Sequence, residues 1–184
     1  MEDIFKSYDV RGIYPTELNE EKVYQIGKAY AVFLEPKKVV VGYDMRVSSQ
    51  KLRDALVHGL TEMGVDVTDI GMCSTPMFYF GIANYGFDGG IMVTASHNPG
   101  RYNGLKICRE KAMPVGKDTG LLEIKKLSES GIKGAGGGKV VSKSIFDDYV
   151  KHVFSFADAS KIKSKRIVID CGNGMAGVSE LKVL

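Results

Sequence analysis

Residues 88–107 read DGGIMVTASHNPGRYNGLKI, and the architecture of the chain can be worked out from them. The apolar run Ile91–Val93 follows two glycines and precedes polar residues, a pattern that predicts a short buried strand. A tight turn around Pro99 then leads into a second strand that begins near Leu105. Ser96 therefore stands where the first strand ends, and in α/β sheets ligands bind beyond the carboxyl ends of the strands.

The loop after this strand carries side chains that suit an anion. Ser96, His97 and Asn98 offer a hydroxyl, an imidazole and an amide, while Arg101 and Lys106 add positive charge. Charge-assisted hydrogen bonds from Arg and Lys are strong, and a hydroxyl can accept a phosphoryl group. The same residue types also form ordinary loops, in which a serine bonds its own backbone. Composition alone leaves both interpretations open.

The order of these residues is more specific than their composition. The segment 94–99 (TASHNP), followed by 102–104 (YNG) and Lys106, resembles the active-serine loop of the α-D-phosphohexomutases. A second motif, 8–12 (YDVRG), resembles the same family in the form of its phosphomannomutase/phosphoglucomutase branch. The resemblance implies that Ser96 accepts and donates a phosphoryl group, interconverting hexose 1-phosphate and hexose 6-phosphate through a bisphosphorylated intermediate.

The resemblance also implies roles for neighbouring residues. Arg11 and Lys106 would neutralise the transferring phosphoryl group, and His97 would contact phosphate or support the loop. The expected ligands of substrate and phosphate are Tyr8, Arg11, Asn98, Asn103 and Lys106. Mg²⁺ would bind Ser96 through its phosphate, with carboxylates supplied from outside this chain, and a hexose 1,6-bisphosphate would be the activator and intermediate.

A third motif, 42–49 (GYDMRVSS), departs from the family's Gly-Arg-Asp-x-Arg-x-Ser-Gly pattern at Tyr43 and Ser49. Its Asp44 and Arg46 are expected to pair and hold their own loop, with no catalytic role.

Helical and strand patterns alternate along the chain, which predicts an α/β class. The expected fold is a three-layer α/β/α sandwich with a mixed, mostly parallel sheet, followed by an incomplete second α/β unit. Residues 5–15 are expected to be irregular, helices are predicted over 116–129 and 145–156, and a strand is predicted over 165–170.

The predicted domains are 1–133, carrying the serine loop, a glycine-rich exposed or flexible linker at 134–140, and 141–184 as the first part of a second domain. The resemblance implies a parent of four domains whose remaining parts are missing here, so apolar surface after residue 138 is expected to lack its partners.

Composition limits the partners of the chain. The net charge is +3, with both signs interspersed, so nucleic acid is not an expected partner. The amino terminus has no apolar leader and no run is long enough to span a bilayer, which predicts a cytoplasmic protein without a membrane contact. Cys73, Cys108 and Cys171 are odd in number and lack paired spacing, so neither a disulfide framework nor a zinc site is expected.

Two other classes of function stay open. A serine hydrolase would use Ser96 and His97, but the Gly-x-Ser-x-Gly elbow is absent, and this class predicts labelling of Ser96 by a fluorophosphonate. A noncatalytic sugar-phosphate-binding module predicts phosphosugar binding without phosphoryl transfer. The sequence also does not predict whether mannose or glucose phosphates are preferred, because the family's sugar-binding loop lies in another domain.

Overall fold

The computed structural model describes residues 4–178, whose strands form one six-stranded sheet of order β1-β5-β4-β2-β3-β6. The strands are β1 Val10–Ile13, β2 Lys38–Tyr43, β3 Asp66–Met72, β4 Gly89–Val93, β5 Tyr102–Arg109 and β6 Val140–Ser142. The α-helices are α1 Glu20–Leu34, α2 Ser49–Glu62, α3 Thr75–Tyr85, α4 Leu121–Ser128 and α5 Phe146–Phe154.

The sheet is mixed, as predicted. Strand β2 runs parallel to β4 and β3, and β3 runs parallel to β6. Strand β5 is antiparallel to both β4 and β1, because the short turn after β4 returns the chain directly beside it.

Two hydrophobic cores cover the two faces of the sheet. Val39 and Val41 of β2 pack into one core with α1, α2 and α4, whereas Val40 packs into the other with Phe78 and Ile82 of α3. Successive side chains of a strand point to opposite faces, so both faces of β2 are buried. The predicted three-layer α/β/α class is confirmed.

The expectation of an irregular segment over residues 5–15 is wrong, because Val10–Ile13 is an edge strand. Arg11 pairs with Gly104 across the β1–β5 ladder. A Cβ on Gly104 would lie 2.2 Å from the carbonyl oxygen of Val10, so the missing side chain permits the close approach. Local pattern did not reveal this strand because four residues carry little periodicity and the pairing partner is distant in sequence.

The helix predicted over 116–129 is shorter, Leu121–Ser128, and a 3₁₀ turn at Lys117–Thr119 precedes it. Gly120 separates the two with φ of +128°, a conformation that L side chains rarely adopt. A Cβ there would also meet the Phe33 ring at 2.0 Å, so the helix starts only after this glycine.

The predicted linker is mostly exposed, yet it is hydrogen-bonded to the domain beside it. The N–H of Gly136 donates to the Glu62 carbonyl at 2.7 Å, and that of Gly138 donates to Thr61 at 3.1 Å. Strand β6 then extends the sheet, and Ile145 is 1% exposed in the α3 core. Residues 140–154 thus pack on the first sheet, although the predicted division places residues after 140 in a second domain.

The strand predicted over 165–170 is wrong for this structure, in which those residues have no regular secondary structure. A strand needs a neighbour for its N–H and C=O groups, and no strand within the described residues pairs with this segment. Ile167, Val168 and Ile169 are 60%, 94% and 41% exposed, in line with the predicted uncovered apolar surface.

Candidate active site

The serine loop begins at the carboxyl end of β4, as predicted. The N–H of Thr94 donates to the Gly104 carbonyl at 2.9 Å, and that of Tyr102 donates to Pro99 at 2.9 Å, which closes the turn. Ser96 has φ of +54°, an uncommon value for a residue other than glycine. Its N–H donates to Thr94 Oγ1 at 2.9 Å, and its side chain is exposed. The loop therefore holds the Ser96 hydroxyl toward solvent on a fixed backbone.

Arg46 holds the backbone of the serine loop in place through hydrogen bonds. Its side chain is only 6% exposed, and its guanidinium donates hydrogen bonds to four carbonyl oxygens of the loop. These oxygens are those of Ser96 at 2.8 Å, Asn98 at 2.7 Å, Pro99 at 2.9 Å and Tyr102 at 3.0 Å. Such planar multidentate donation is specific to arginine among cationic side chains.

Asp44 completes the support. Its carboxylate accepts from Arg46 Nε at 3.2 Å, from Ser49 Oγ at 2.6 Å and from Thr94 Oγ1 at 2.7 Å. The predicted Asp44–Arg46 pair is therefore present. The motif did not reveal that the pair holds the serine loop some 50 residues further along, because no local signal marks that contact.

The two predicted cations meet at a carboxylate. Arg11 forms an ion pair with Asp9, and Lys106 Nζ lies 3.8 Å from Asp9 Oδ2. Arg11 Nη1 also donates to Asn98 Oδ1 at 2.6 Å, which ties the cations to the serine loop. Strand pairing explains the grouping, because Arg11 lies opposite Gly104 and Lys106 follows two residues later on the same face of β5. The sequence motif assigned no role to Asp9, although it contains this residue.

His97 lies beside the serine without a tight contact. Its Nδ1 is 3.4 Å from Ser96 Oγ, a long distance for a hydrogen bond to a hydroxyl, and its side chain is exposed. The imidazole is therefore free to turn toward a ligand above the loop.

The two remaining predicted ligands are Asn103 and Tyr8. Asn103 is fully buried, and its side chain donates to Ser48 Oγ at 2.8 Å and Ser49 Oγ at 3.0 Å while accepting from the Gly104 N–H. These bonds join β5 to the start of α2, and the phosphate contact of Asn103 stays a prediction. Tyr8 is 81% exposed, just before β1 in the chain.

A cavity of about 310 Å³ opens beside the loop on the α3 side of the sheet. Ser96 and His97 line one part of it, and Ser74 and Thr75 at the start of α3 line another. Met175 also lines it, so the carboxyl-terminal part of the described chain reaches this cavity.

The described residues do not form a Mg²⁺ site by themselves. Mg²⁺ prefers carboxylate and water oxygens in octahedral geometry. Within residues 4–178 no group of three or more His, Cys, Asp or Glu side chains could hold a metal ion. The carboxylates of the site, Asp9 and Asp44, already pair with Arg11 and Arg46.

Known proteins share this fold and these motifs. The family profile described as "Phosphoglucomutase/phosphomannomutase, alpha/beta/alpha domain I" matches residues 2–134. A phosphomannomutase of Salmonella montevideo is 44% identical over 177 residues, which are 94% of this chain and 39% of that protein. A phosphomannomutase of Vibrio cholerae is 44% identical over 182 residues, with the same two coverages. A solved structure from Burkholderia thailandensis, a phosphoglucomutase/phosphomannomutase family protein, has a TM-score of 0.84 at 32% identity and covers all of this chain and 42% of its own.

The fold, the serine loop and these matches together define an α/β/α domain of the phosphohexomutase class. The chain belongs to the phosphoglucomutase/phosphomannomutase family, since the profile covers most of its length. The chain spans 39% of the length of the curated relatives named above. In the part of the chain that the structure describes, none of the helices combines the length and apolar character needed to cross a bilayer.

Proposed function

We propose that this chain carries the phosphoryl-accepting serine of a phosphohexomutase, with Ser96 as the acceptor and hexose 1-phosphates and 6-phosphates as substrates. The observation that carries the proposal is the presentation of Ser96. Its hydroxyl is exposed at the carboxyl edge of the sheet, on a loop whose backbone Arg46 holds through four carbonyls. Membership of the family and the names of the relatives support the class of substrate.

The proposed transfer begins with a hexose 1,6-bisphosphate. Ser96 Oγ forms a bond to phosphorus while the bond from phosphorus to the sugar oxygen breaks, and the hydroxyl proton ends on that sugar oxygen. In the opposite direction the phosphorylated serine donates its phosphoryl group to the free hydroxyl of a hexose monophosphate, and the proton of that hydroxyl returns to Ser96 Oγ. The bisphosphate formed can then give its other phosphoryl group to Ser96, which releases the other monophosphate.

Arg11 and Lys106 are the proposed source of charge stabilisation. Both are tied to Asp9, which keeps their heads together and leaves one excess positive charge for the phosphoryl oxygens. Preorganised cations stabilise the transferring phosphoryl group at little cost in reorganisation. Asn98 fixes Arg11 relative to the serine loop, and His97 is the proposed contact to a phosphate oxygen.

Two further roles belong to this proposal. The exposed phenol of Tyr8 would contact the sugar as it enters over β1. Mg²⁺ would bind the phosphate on Ser96 when carboxylates from outside residues 4–178 complete its coordination, and it would offset phosphate charge there.

The test is a phosphopeptide mass map of the longest form of the protein recovered from its own cells, repeated after incubation with glucose 1,6-bisphosphate. We expect phosphate on the peptide that contains Ser96, and none there in the Ser96→Ala variant. The matched control is Ser144→Ala, which removes an exposed hydroxyl outside the site. A wild-type protein that binds the sugar phosphate and never carries phosphate on Ser96 would instead be a noncatalytic binding module.

A further inference from the structure

The start of α3 faces the same cavity as Ser96 and lacks the usual cap. Ser74 is the N-cap residue, but its side chain makes no capping hydrogen bond. An N-cap serine normally accepts a hydrogen bond from the N–H of the second or third helical residue. In α3 the second residue is Pro76, which has no N–H, so the uncapped donors of the first turn are those of Thr75 and Met77.

The hydroxyl of Ser74 is also without a partner. Ser74 is 6% exposed, and its Oγ has less than 1 Å² of accessible area and no hydrogen-bond partner among the described residues. An unpaired buried hydroxyl destabilises the fold, because its hydrogen bonds to water are lost and not replaced. A ligand in the adjoining cavity can repay that cost, because rotation about one torsion redirects a serine hydroxyl.

The charges around the cavity favour an anion at the helix end. A helix amino terminus carries partial positive charge and binds phosphate or carboxylate groups. Asp44 also lines the cavity, but its carboxylate is 5% exposed and is occupied by Arg46, Ser49 and Thr94. The groups left to meet a ligand therefore include the donors of α3, the Ser96 hydroxyl and the exposed His97 imidazole.

We propose that Ser74 and the first turn of α3 form a second anchor for a phosphate monoester held at Ser96, in addition to the Arg11–Lys106 pair. The Ser74 hydroxyl and the Thr75 and Met77 amides donate to phosphoryl oxygens. This inference rests on the proposed function of Ser96, and it adds a binding subsite in the α3 wall of the cavity.

The experiment uses the 184-residue chain and inorganic phosphate as the probe, with amide chemical shifts followed by ¹H–¹⁵N NMR. We expect the Thr75 and Met77 amides to shift together with those of His97 and Asn98, with one common Kd. The Ser74→Ala variant should raise that Kd about tenfold while its free energy of unfolding stays equal to or above the wild-type value, because an unpaired hydroxyl is removed.

A second variant separates binding from folding. Thr75→Asp places a carboxylate at the start of α3, which favours the helix and repels phosphate, so the Kd should again rise about tenfold without loss of stability. Ser144→Ala is the matched control and should leave the Kd unchanged.

The outcomes distinguish this inference from the function on which it rests. If His97 and Asn98 shift while Thr75 and Met77 do not, or if both α3 variants bind phosphate like the wild type, the subsite is refuted and the proposed function stands. If none of the four amides shifts at the highest phosphate concentration, both the α3 subsite and the proposed function of Ser96 are refuted for this chain.

Discussion

The guanidinium of Arg46 donates hydrogen bonds to four backbone carbonyls of the serine loop and to the Asp44 carboxylate. A lysine in its place keeps the charge but has three N–H groups in a different geometry. We expect Arg46→Lys to lower the free energy of unfolding by about 2 kcal/mol. Urea unfolding measures that loss, and hydrogen exchange of the loop amides of residues 97–102 other than Pro99 should accelerate more than exchange elsewhere.

Arg101→Lys is the control for this substitution. Arg101 is exposed and lies over the Tyr102 ring at 5.3 Å, so its replacement should change stability by less than about 0.5 kcal/mol. Equal effects of the two substitutions would show that Arg46 does not hold the loop.

Asn103 gives a prediction that separates structure from binding. Its three hydrogen bonds lie in a fully buried place, and alanine would leave Ser48, Ser49 and the Gly104 N–H with fewer partners. We expect Asn103→Ala to cost about 2–3 kcal/mol in urea unfolding. The Kd for phosphate, measured where the variant is folded, should stay within about twofold of wild type; a large rise would support the predicted phosphate contact of Asn103.

The thiols should differ in reactivity. Burial raises the pKa of Cys73 to about 12 and that of Cys108 to about 12, whereas Cys171 is half-buried. The thiolate is the reactive form, so its fraction at pH 8 is small for both buried thiols. Iodoacetamide should label native protein first at Cys171, as read by peptide mapping, and all three thiols in urea. Early labelling of Cys73 would contradict its burial.

At the scale of elements, the β1–β5 pairing brings Arg11 to the serine loop, and Gly104 permits that pairing. A Cβ on Gly104 would lie 2.2 Å from Val10 O, whereas one on Gly100 in the same loop would meet no atom within 4 Å. Gly104→Ala should therefore cost about 1–3 kcal/mol through overpacking and weaken phosphate binding as β1 shifts. Gly100→Ala should leave both the stability and the Kd for phosphate unchanged. Similar unfolding curves and Kd values for the two variants would show that the β1–β5 pairing does not require a glycine at position 104.

At the scale of the whole molecule, the boundary of the first packed unit can be tested by shortening the chain. Residues 1–156 keep β6, the buried Ile145 and the contact of Phe80 with Tyr149 at 5.6 Å between ring centroids. Residues 1–139 lose all three and uncover part of the α3 core. We expect the shorter chain to be less stable than the longer by about 3 kcal/mol or more in urea unfolding.

The alternative outcome follows from the predicted domain division. If the first domain ended at residue 133, both shortened chains would unfold at the same urea concentration. Equal midpoints would show that β6 and α5 add nothing to the first unit.

Much of the fold could be predicted because local sequence patterns indicate most of its strands and helices. The apolar runs Val39–Val41 and Ile91–Val93 predicted two central strands, and the turn at Pro99 predicted the antiparallel partner of β4. Ser96, Arg11 and Lys106 were predicted from two motifs, and the structure brings the two cations together at Asp9. The hold of Arg46 on the loop and the burial of Asn103 escaped prediction, because both depend on partners about 50 residues away.

The class of fold, the position of the serine at the end of β4 and the family could all be inferred from the order of the amino acids. Periodicity reports burial and short motifs report local chemistry, and both are properties of neighbouring residues. Long-range contacts were needed to show that Val10–Ile13 forms a strand while residues 165–170 do not, and that Ser74 shares a cavity with Ser96. The reason is physical: backbone hydrogen bonds in a sheet and the walls of a cavity are completed by residues that the chain brings together only when it folds.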